Sequence, residues 1–110
     1  MSKYGNKQAV ASDGRIFPSK RECKRYEDLL LLVRMKKIWK LECQVKYVLI
    51  PKQKVKGFTE RPVTYTADFQ YVDRETGETH VEDSKGMKTQ QYVIRRKLML
   101  WFHEIHVEEV

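Results

Sequence analysis

Two acidic residues and a lysine carry the clearest chemistry in this sequence. Asp68 lies within the aromatic, β-rich run at residues 65–72, and Asp83 and Lys85 follow a short way downstream. Aspartate is depleted from strands, and a carboxylate held among apolar side chains costs several kcal/mol unless something compensates it. A divalent cation is one such compensation. The spacing therefore predicts a metal-dependent site that acts on phosphodiester bonds.

That chemistry has defined requirements. Cleaving a phosphodiester needs an aligned water, neutralisation of the charge that develops on the phosphorane, and stabilisation of the leaving oxygen. Mg²⁺ held by carboxylates can serve all three, and a nearby ammonium group adds positive charge or helps to deprotonate the water. Because strand side chains alternate, Asp83 and Lys85 are predicted to share one face, with Glu82 and Ser84 on the other. Glu82 is accordingly predicted to be a surface charge or a supporting group beside the site.

The first predicted elements are a hairpin and a helix. Residues 9–11 and 15–17 flank a Ser-Asp-Gly turn, which is typical of a small hairpin. Ser19 and Glu22 match a capping box, in which the serine hydroxyl and the glutamate carboxylate satisfy free backbone N–H groups. The helix is predicted to run over about residues 20–37.

A meander and a second helix are predicted to follow. Alternation of apolar and polar residues predicts strands over residues 41–49, 62–72 and 79–85, and a last short strand over 105–110. Residues 52–57 between the first two of these are predicted to form an exposed basic loop. The second helix is predicted to begin near Thr89. Successive strands of a meander are neighbours in the sheet, so Asp68 is expected to stand beside Asp83.

Composition bounds the remaining possibilities. The chain has 110 residues, enough for a single domain with one core, and its 34% charged residues are typical of a soluble protein. We expect residues 1–8 to be flexible and the location to be cytoplasmic, since neither a secretory signal nor a membrane-spanning run is present. Cys23 and Cys43 are expected to be reduced, largely buried thiols.

Positive charge is concentrated in one half of the chain. Residues 1–57 contain fifteen Lys and Arg against five Asp and Glu, whereas residues 58–110 contain seven against ten. This asymmetry suggests an anionic partner such as nucleic acid, although a well-solvated surface explains it equally simply. The basic residues predicted to contact phosphate are Lys52, Lys54 and Lys56 in the loop and Arg95, Arg96 and Lys97 on the second helix.

Taken together, the order of the elements and the acidic motif resemble a known superfamily. Asp68 and the triplet Asp83-Ser84-Lys85 on successive strands are similar to the PD-(D/E)XK nucleases, and more closely to small phage-encoded endonucleases and Holliday-junction resolvases. The matching stretches are residues 13–22, 41–44, 65–69 and 82–86, with Thr89 and Tyr92. Ala67 stands where the motif has its proline, which is a departure from the strict pattern.

The resemblance implies a fold and a set of roles. The fold would be α/β (α+β) with a restriction-endonuclease-like core, a mixed sheet containing a three-strand meander and flanked by two helices. Asp68 and Asp83 would bind Mg²⁺, for which Mn²⁺ substitutes, with the Ser84 carbonyl as a further ligand. Lys85 and Glu22 would complete the catalytic set. The substrate would be branched or recombination DNA, cut by a homodimer.

Several alternatives stay open from the sequence alone. Gln44 is expected to orient a ligand or a water, while Glu22 is explained as well by helix capping as by catalysis. The chain could instead be a non-catalytic DNA-binding or accessory protein of a phage on the same fold. An RNA-directed nuclease is a third possibility, because contacts to the backbone carry little base information.

Overall fold

The computed structural model describes residues 7–84 and 87–110, so most of the segment 1–8 that we expect to be flexible lies outside the described residues. The two helices of this part of the chain are α1 (Lys20–Arg34) and α2 (Gln90–His103). The strands are β1 (Ala9–Val10), β2 (Ile16–Phe17), β3 (Ile38–Ile50), β4 (Gln53–Val55), β5 (Phe58–Glu60), β6 (Val63–Asp73), β7 (Thr79–Asp83) and β8 (Glu108–Glu109).

The main sheet has four strands in the order β3-β6-β7-β8. β3, β6 and β7 form an antiparallel meander, and β8 adds to the edge parallel to β7. The protein is therefore an α+β fold with a mixed sheet and two helices, as predicted at that level. β1 and β2 form the separate hairpin expected before α1.

α1 begins as predicted and ends earlier. The Ser19 side chain accepts a hydrogen bond from the Glu22 backbone N–H, so half of the capping box is present. The prediction of an end at Lys37 is wrong, because Lys36 adopts a left-handed φ of 59° after Arg34. The Lys37 N–H then bonds to the Leu32 carbonyl, which closes the helix in the manner of a Schellman turn. Glycine usually occupies the left-handed position after a helix, so the lysine at this position does not indicate from the sequence where α1 ends.

β6 supplies both halves of the hydrophobic core. Its alternate residues Tyr65, Ala67, Phe69 and Tyr71 are each at most 8% exposed, which is the pattern of a central strand. Phe69 and Tyr71 pack with α1 residues such as Leu29, whereas Tyr65 and Ala67 pack with α2 residues and Val81. The regularity of β6 holds Asp68 rigidly between two residues that are completely buried.

The loop predicted over residues 52–57 is instead part of a β-hairpin. β4 and β5 pair only with each other, with Val55 opposite Phe58 around a two-residue turn at Lys56 and Gly57. Both turn residues have positive φ values, 47° and 85°, as a type I′ turn requires. Every residue from 51 to 62 is exposed. We call residues 52–61 the arm.

Two further expectations concern the cysteines and membranes. Cys23 is buried and Cys43 half-buried, and both are free thiols whose pKa is raised by burial. Neither α1 nor α2 has the length and apolar character that crossing a bilayer demands.

Candidate functional site

The structure brings Asp68 and Asp83 to adjacent strands. β6 and β7 pair in an antiparallel register in which Phe69 lies opposite Glu82. Asp68 precedes Phe69 and Asp83 follows Glu82, so the two aspartates occupy the next pair of facing positions. The prediction that Asp68 and Asp83 lie on neighbouring strands is confirmed, and the turn at residues 74–78 joins β6 and β7 directly.

Asp68 is held by hydrogen bonds from two elements. Its Oδ2 accepts from the Ser84 backbone N–H at 2.8 Å, and its Oδ1 accepts from Gln44 Nε2 at 3.3 Å. Asp68 is half-buried, so it has access to solvent despite fully buried neighbours. These N–H donors provide part of the compensation that a carboxylate in a strand requires.

Glu22 reaches the same amide from the opposite side. Gln44 Nε2 lies 3.5 Å from the Glu22 Oε2 atom and so bridges Glu22 to Asp68. Glu22 is 7% exposed although it lies in the first turn of α1. Its backbone N–H is capped by Ser19 while its carboxylate points to Gln44. The Ser19 half of the capping box is therefore compatible with a place for the Glu22 carboxylate beside Gln44.

Gln44 has an unusual backbone for the middle of a strand. Its φ is 54°, in the left-handed region, although β3 continues on both sides. A non-glycine residue in that conformation costs on the order of 1 kcal/mol, and such residues cluster at functional sites. Gln44 was expected to orient a ligand or water, and the structure places its amide between two carboxylates. The strain at this position is a feature that no residue pattern in β3 signalled.

Asp83 is buried against a tyrosine that sequence reasoning missed. Asp83 is 1% exposed, and its Oδ2 accepts a hydrogen bond from the Tyr65 hydroxyl at 2.5 Å. Burial, and then this hydrogen bond, raise the pKa of Tyr65 far above its usual value, so the phenol stays protonated and donates. Tyr65 is three residues before Asp68 on β6, but a core tyrosine in a strand is too common to identify a partner for a carboxylate.

Glu82 lies in a different environment, and the surface-charge reading of this residue is wrong. It is 1% exposed and forms a bidentate ion pair with Arg25 of α1, at 2.7 and 2.6 Å. The Tyr71 hydroxyl also donates to it. Strand alternation correctly separated Glu82 from Asp83, but the sequence did not show that α1 covers the Glu82 side.

The predicted basic residues fall into three groups. Arg95 donates to the Thr64 carbonyl and Arg96 pairs with Glu109, each at 2.9 Å, so both have partners within the protein. Lys97 is exposed on α2. Lys52, Lys54 and Lys56 are all exposed on the arm. Lys85 lies outside the described residues, as does the neighbouring Gly86.

The donor chemistry around Asp68 suits a hard cation. Glu22, Asp68 and Asp83 are carboxylates on three different elements, and oxygen ligands of this kind are those that Mg²⁺ prefers. Within residues 7–84 and 87–110, no three acidic, histidine or cysteine side chains are already gathered as a ligand set. Gln44 and Tyr65 occupy the oxygens of these carboxylates through hydrogen bonds. The residues therefore fit the ion by type, because a carboxylate has further lone pairs with which it can bind a cation while it keeps these hydrogen bonds.

Two clefts adjoin this group of carboxylates. One of about 290 Å³ contains Glu22 and Gln44 in its wall, with Arg15 at its edge. Another of about 230 Å³ is lined by Tyr65, the partner of Asp83, and by Arg95. A third cleft, of about 610 Å³, lies instead around Arg25 and Glu82. We call Glu22, Gln44, Tyr65, Asp68 and Asp83 the carboxylate site.

Comparison with known proteins identifies the family. A family model described as a protein of unknown function, DUF1064, matches residues 1–109. The chain belongs to the DUF1064 family. The match includes every residue of the carboxylate site and the whole arm of this DUF1064 protein. No curated protein and no solved structure gave a match.

Proposed function

We propose that this DUF1064 protein is a Mg²⁺-dependent DNA endonuclease of the PD-(D/E)XK type. The observation that carries the proposal is the placement of Asp68 and Asp83 side by side on antiparallel strands, with Glu22 linked to Asp68 through Gln44. The proposal is supported by carboxylates contributed by a helix and two adjacent strands, with Gln44 linking two of them. Metal-dependent phosphodiester hydrolysis uses such a set.

The topology supports the finer description of the fold. A helix, a three-strand antiparallel meander, a second helix and a final strand parallel to the third follow one another along the chain. This is the order that a restriction-endonuclease-like core would have. The acidic residues occupy the second and third strands of the meander, as the motif in the sequence implies.

The protein residues would divide the work as follows. Asp68 and Asp83 would hold Mg²⁺, with the Ser84 carbonyl as a further ligand, and Mn²⁺ would serve as a substitute. When bound, the ion neutralises charge on the phosphate and lowers the pKa of a coordinated water. The Ser84 N–H and the Tyr65 hydroxyl orient the two aspartates, Gln44 and Glu22 position the attacking water, and Lys85 adds positive charge beside the phosphate.

The substrate class follows from charge and from the resemblance. The basic N-terminal half and the lysines of the arm favour a polyanion. The resemblance of the sequence motif to resolvases favours branched or recombination DNA. A cytoplasmic location, that of the host cell if a phage encodes the protein, fits such a substrate.

A homodimer is part of the same proposal, and α2 provides the surface for it. Ile94, Leu100, Trp101 and Phe102 on this helix are 53–79% exposed, although Tyr92 and Met99 on its other side are buried. Exposed apolar side chains concentrated on one helix are typical of an interaction surface. These four side chains would bury roughly 500 Å² per copy, or about 1,000 Å² in a pair, which reaches the size of a specific interface.

Charge complementarity favours a second copy as the occupant of this surface. Lys97 and Glu104 flank Trp101 along the helix, four residues before it and three after it. In an antiparallel pair of α2 helices, Lys97 of one copy would meet Glu104 of the other. We expect Trp101→Glu to convert the dimer to a monomer in sedimentation velocity, whereas Met35→Glu, at the exposed apolar C-cap residue of α1, leaves it dimeric. A wild-type protein that sediments as a monomer at micromolar concentration would contradict this part of the proposal.

The activity is tested by cleavage with matched variants. Four-way junction, flap, duplex and single-stranded DNA are incubated with Mg²⁺ or with EDTA. We expect Mg²⁺-dependent cutting that falls by about a thousandfold in Asp68→Asn and Asp83→Asn, since several kcal/mol of transition-state stabilisation are lost. Asp28→Asn on the exposed surface of α1 is the control and should cut like wild type. Equal cutting by wild type and Asp83→Asn would end the nuclease proposal.

A second candidate is a DNA-binding protein without catalysis. One observation favours it: Asp68 and Asp83 already accept hydrogen bonds from Gln44, Ser84 and Tyr65, so a purely structural role for them is physically sufficient. DNA binding with no cutting under Mg²⁺ or Mn²⁺ would support this candidate.

A further inference from the structure

The arm has a defined shape that places two apolar residues at its tip. The type I′ turn at Lys56 and Gly57 joins Val55 directly to its cross-strand partner Phe58. Because strand residues alternate between faces, Val55 and Phe58 share one face of the hairpin and Lys54 lies on the other. Phe58 is 74% exposed and Val55 is 59% exposed.

Val55 and Phe58 are not part of the hydrophobic core. Neither residue belongs to either of the hydrophobic clusters that hold α1 and α2 to the main sheet. A two-stranded hairpin is marginally stable in water when its side chains pack against nothing else. The tight turn supplies the local order, and the side chains at the tip remain available to a partner.

The charge on the arm identifies the chemistry of that partner. Lys52, Lys54, Lys56 and Arg61 accompany a single acidic residue, Glu60. Lys56 lies in the turn itself, next to the apolar pair. A phenyl ring surrounded by flexible ammonium groups matches a polyanion that also offers flat apolar faces, which describes a nucleic acid with accessible bases.

We propose that the arm inserts Phe58 against an unstacked base, with Val55 supporting the ring and the lysines holding the flanking phosphates. An apolar wedge that enters an intact duplex must first unstack a base step, whereas a branch point or a single strand offers bases that are already unstacked. The arm would therefore select junctions, flaps and single-stranded segments over continuous duplex. This inference rests on the proposed DNA substrate, and it requires binding but not cleavage.

The test measures binding without catalysis. Fluorescence anisotropy in EDTA compares a labelled four-way junction with a matched linear duplex, and 2-aminopurine at the branch point reports base stacking. We expect Phe58→Ala to weaken junction binding by at least about fivefold, as loss of one stacked base predicts, and duplex binding by less than about twofold. Phe58→Trp should retain junction binding and the change in 2-aminopurine fluorescence.

The lysines of the arm provide the matched control. Lys54→Ala combined with Lys56→Ala should weaken junction and duplex binding alike. On duplex DNA the slope of log K against log salt should become shallower by about 0.9 for each phosphate that the protein no longer neutralises. Equal effects of Phe58→Ala on junction and duplex, or no effect on either, would overturn the inference. Junction-selective binding that depends on Phe58 in a protein that cuts no DNA would uphold the arm and reject the nuclease. Circular dichroism verifies that each variant is folded.

Discussion

Glu82 and Asp83 are consecutive residues of β7 and are equally buried, yet they lie in different environments. Glu82 faces α1, where the Arg25 guanidinium and the Tyr71 hydroxyl bind its carboxylate. Asp83 faces the carboxylate site, where Tyr65 donates to it and Asp68 stands on the neighbouring strand. Burial alone therefore does not distinguish a structural carboxylate from a candidate ligand.

The difference lies in the neighbours of each carboxylate: Glu82 pairs with the Arg25 guanidinium, whereas Asp83 has a second acidic residue, Asp68, at the facing position of β6. The charge of a buried carboxylate is already compensated when a guanidinium is paired with it. Removing that guanidinium should therefore change mainly the stability of the fold. Two carboxylates on adjacent strands repel each other, and a cation bound between them relieves that repulsion. In the function we propose, Glu82 supports the fold and Asp83, together with Asp68, would bind Mg²⁺.

The largest expected effect is on the structural member of the pair. Arg25→Met leaves Glu82 as a buried carboxylate without its guanidinium, so we expect the free energy of unfolding to fall by about 3 kcal/mol. Urea denaturation measures this change. Lys24→Met removes a lysine whose pair with Asp28 is exposed to solvent and should alter stability by less than about 0.5 kcal/mol. Similar small losses in both variants would show that the Arg25–Glu82 pair contributes little.

A second prediction concerns the Mg²⁺ ion that we expect Asp83 to bind. Mg²⁺ at about ten times its Kd should stabilise the wild-type protein by about 1.4 kcal/mol, because only the folded state offers the site. Asp68→Asn and Asp83→Asn should lose this stabilisation, and Arg25→Met should retain it. Thermal unfolding with Mg²⁺ and with EDTA gives the comparison. If Asp83→Asn responds to Mg²⁺ like wild type, the ion binds elsewhere.

The two tyrosines offer a finer comparison. Tyr65→Phe and Tyr71→Phe each remove one hydroxyl that donates to a buried carboxylate, and each should cost about 1 kcal/mol of stability. Only Tyr65→Phe should also weaken the response to Mg²⁺, since Tyr65 orients Asp83. Titration of both variants with Mg²⁺, followed by thermal unfolding, separates the two effects. Identical Mg²⁺ curves would remove Tyr65 from the carboxylate site.

The smallest expected effect concerns Glu109 on β8, opposite Asp83. Hydrogen bonds from Lys88, Tyr92 and Arg96 lower its pKa from 4.5 to about 2. A folded pKa below the unfolded value stabilises the protein above about pH 4.5, and this contribution is lost as the pH falls towards about 2. Glu109→Gln should therefore lower the Tm slightly at about pH 6 and lose its effect near pH 2. If the difference in Tm between wild type and Glu109→Gln stays constant over that range, the ionised Glu109 carboxylate does not stabilise the fold.

Local patterns predicted most of the elements, and the misses have physical causes. Local sequence determines the cap at Ser19, the hairpin turn at Gly14 and the alternation in β6. These features could therefore be predicted from short stretches of residues. The end of α1 at a left-handed lysine and the pairing of residues 52–61 into an arm were missed. In both cases a lysine, Lys36 or Lys56, has a left-handed φ, a conformation in which glycine or asparagine is the more usual residue.

The sequence by itself determined the order of the two helices and of the strands of the main sheet, and the presence of two aspartates on successive strands. Strand adjacency follows from a short turn, so the proximity of Asp68 to Asp83 required no tertiary information. Only the tertiary structure decided which partners meet those carboxylates. Tyr65 reaches Asp83, Gln44 bridges Glu22 and Asp68, and Arg25 compensates Glu82, because side chains far apart in the chain converge once the helices pack on the sheet. Contacts of that kind depend on packing directions that local periodicity does not contain.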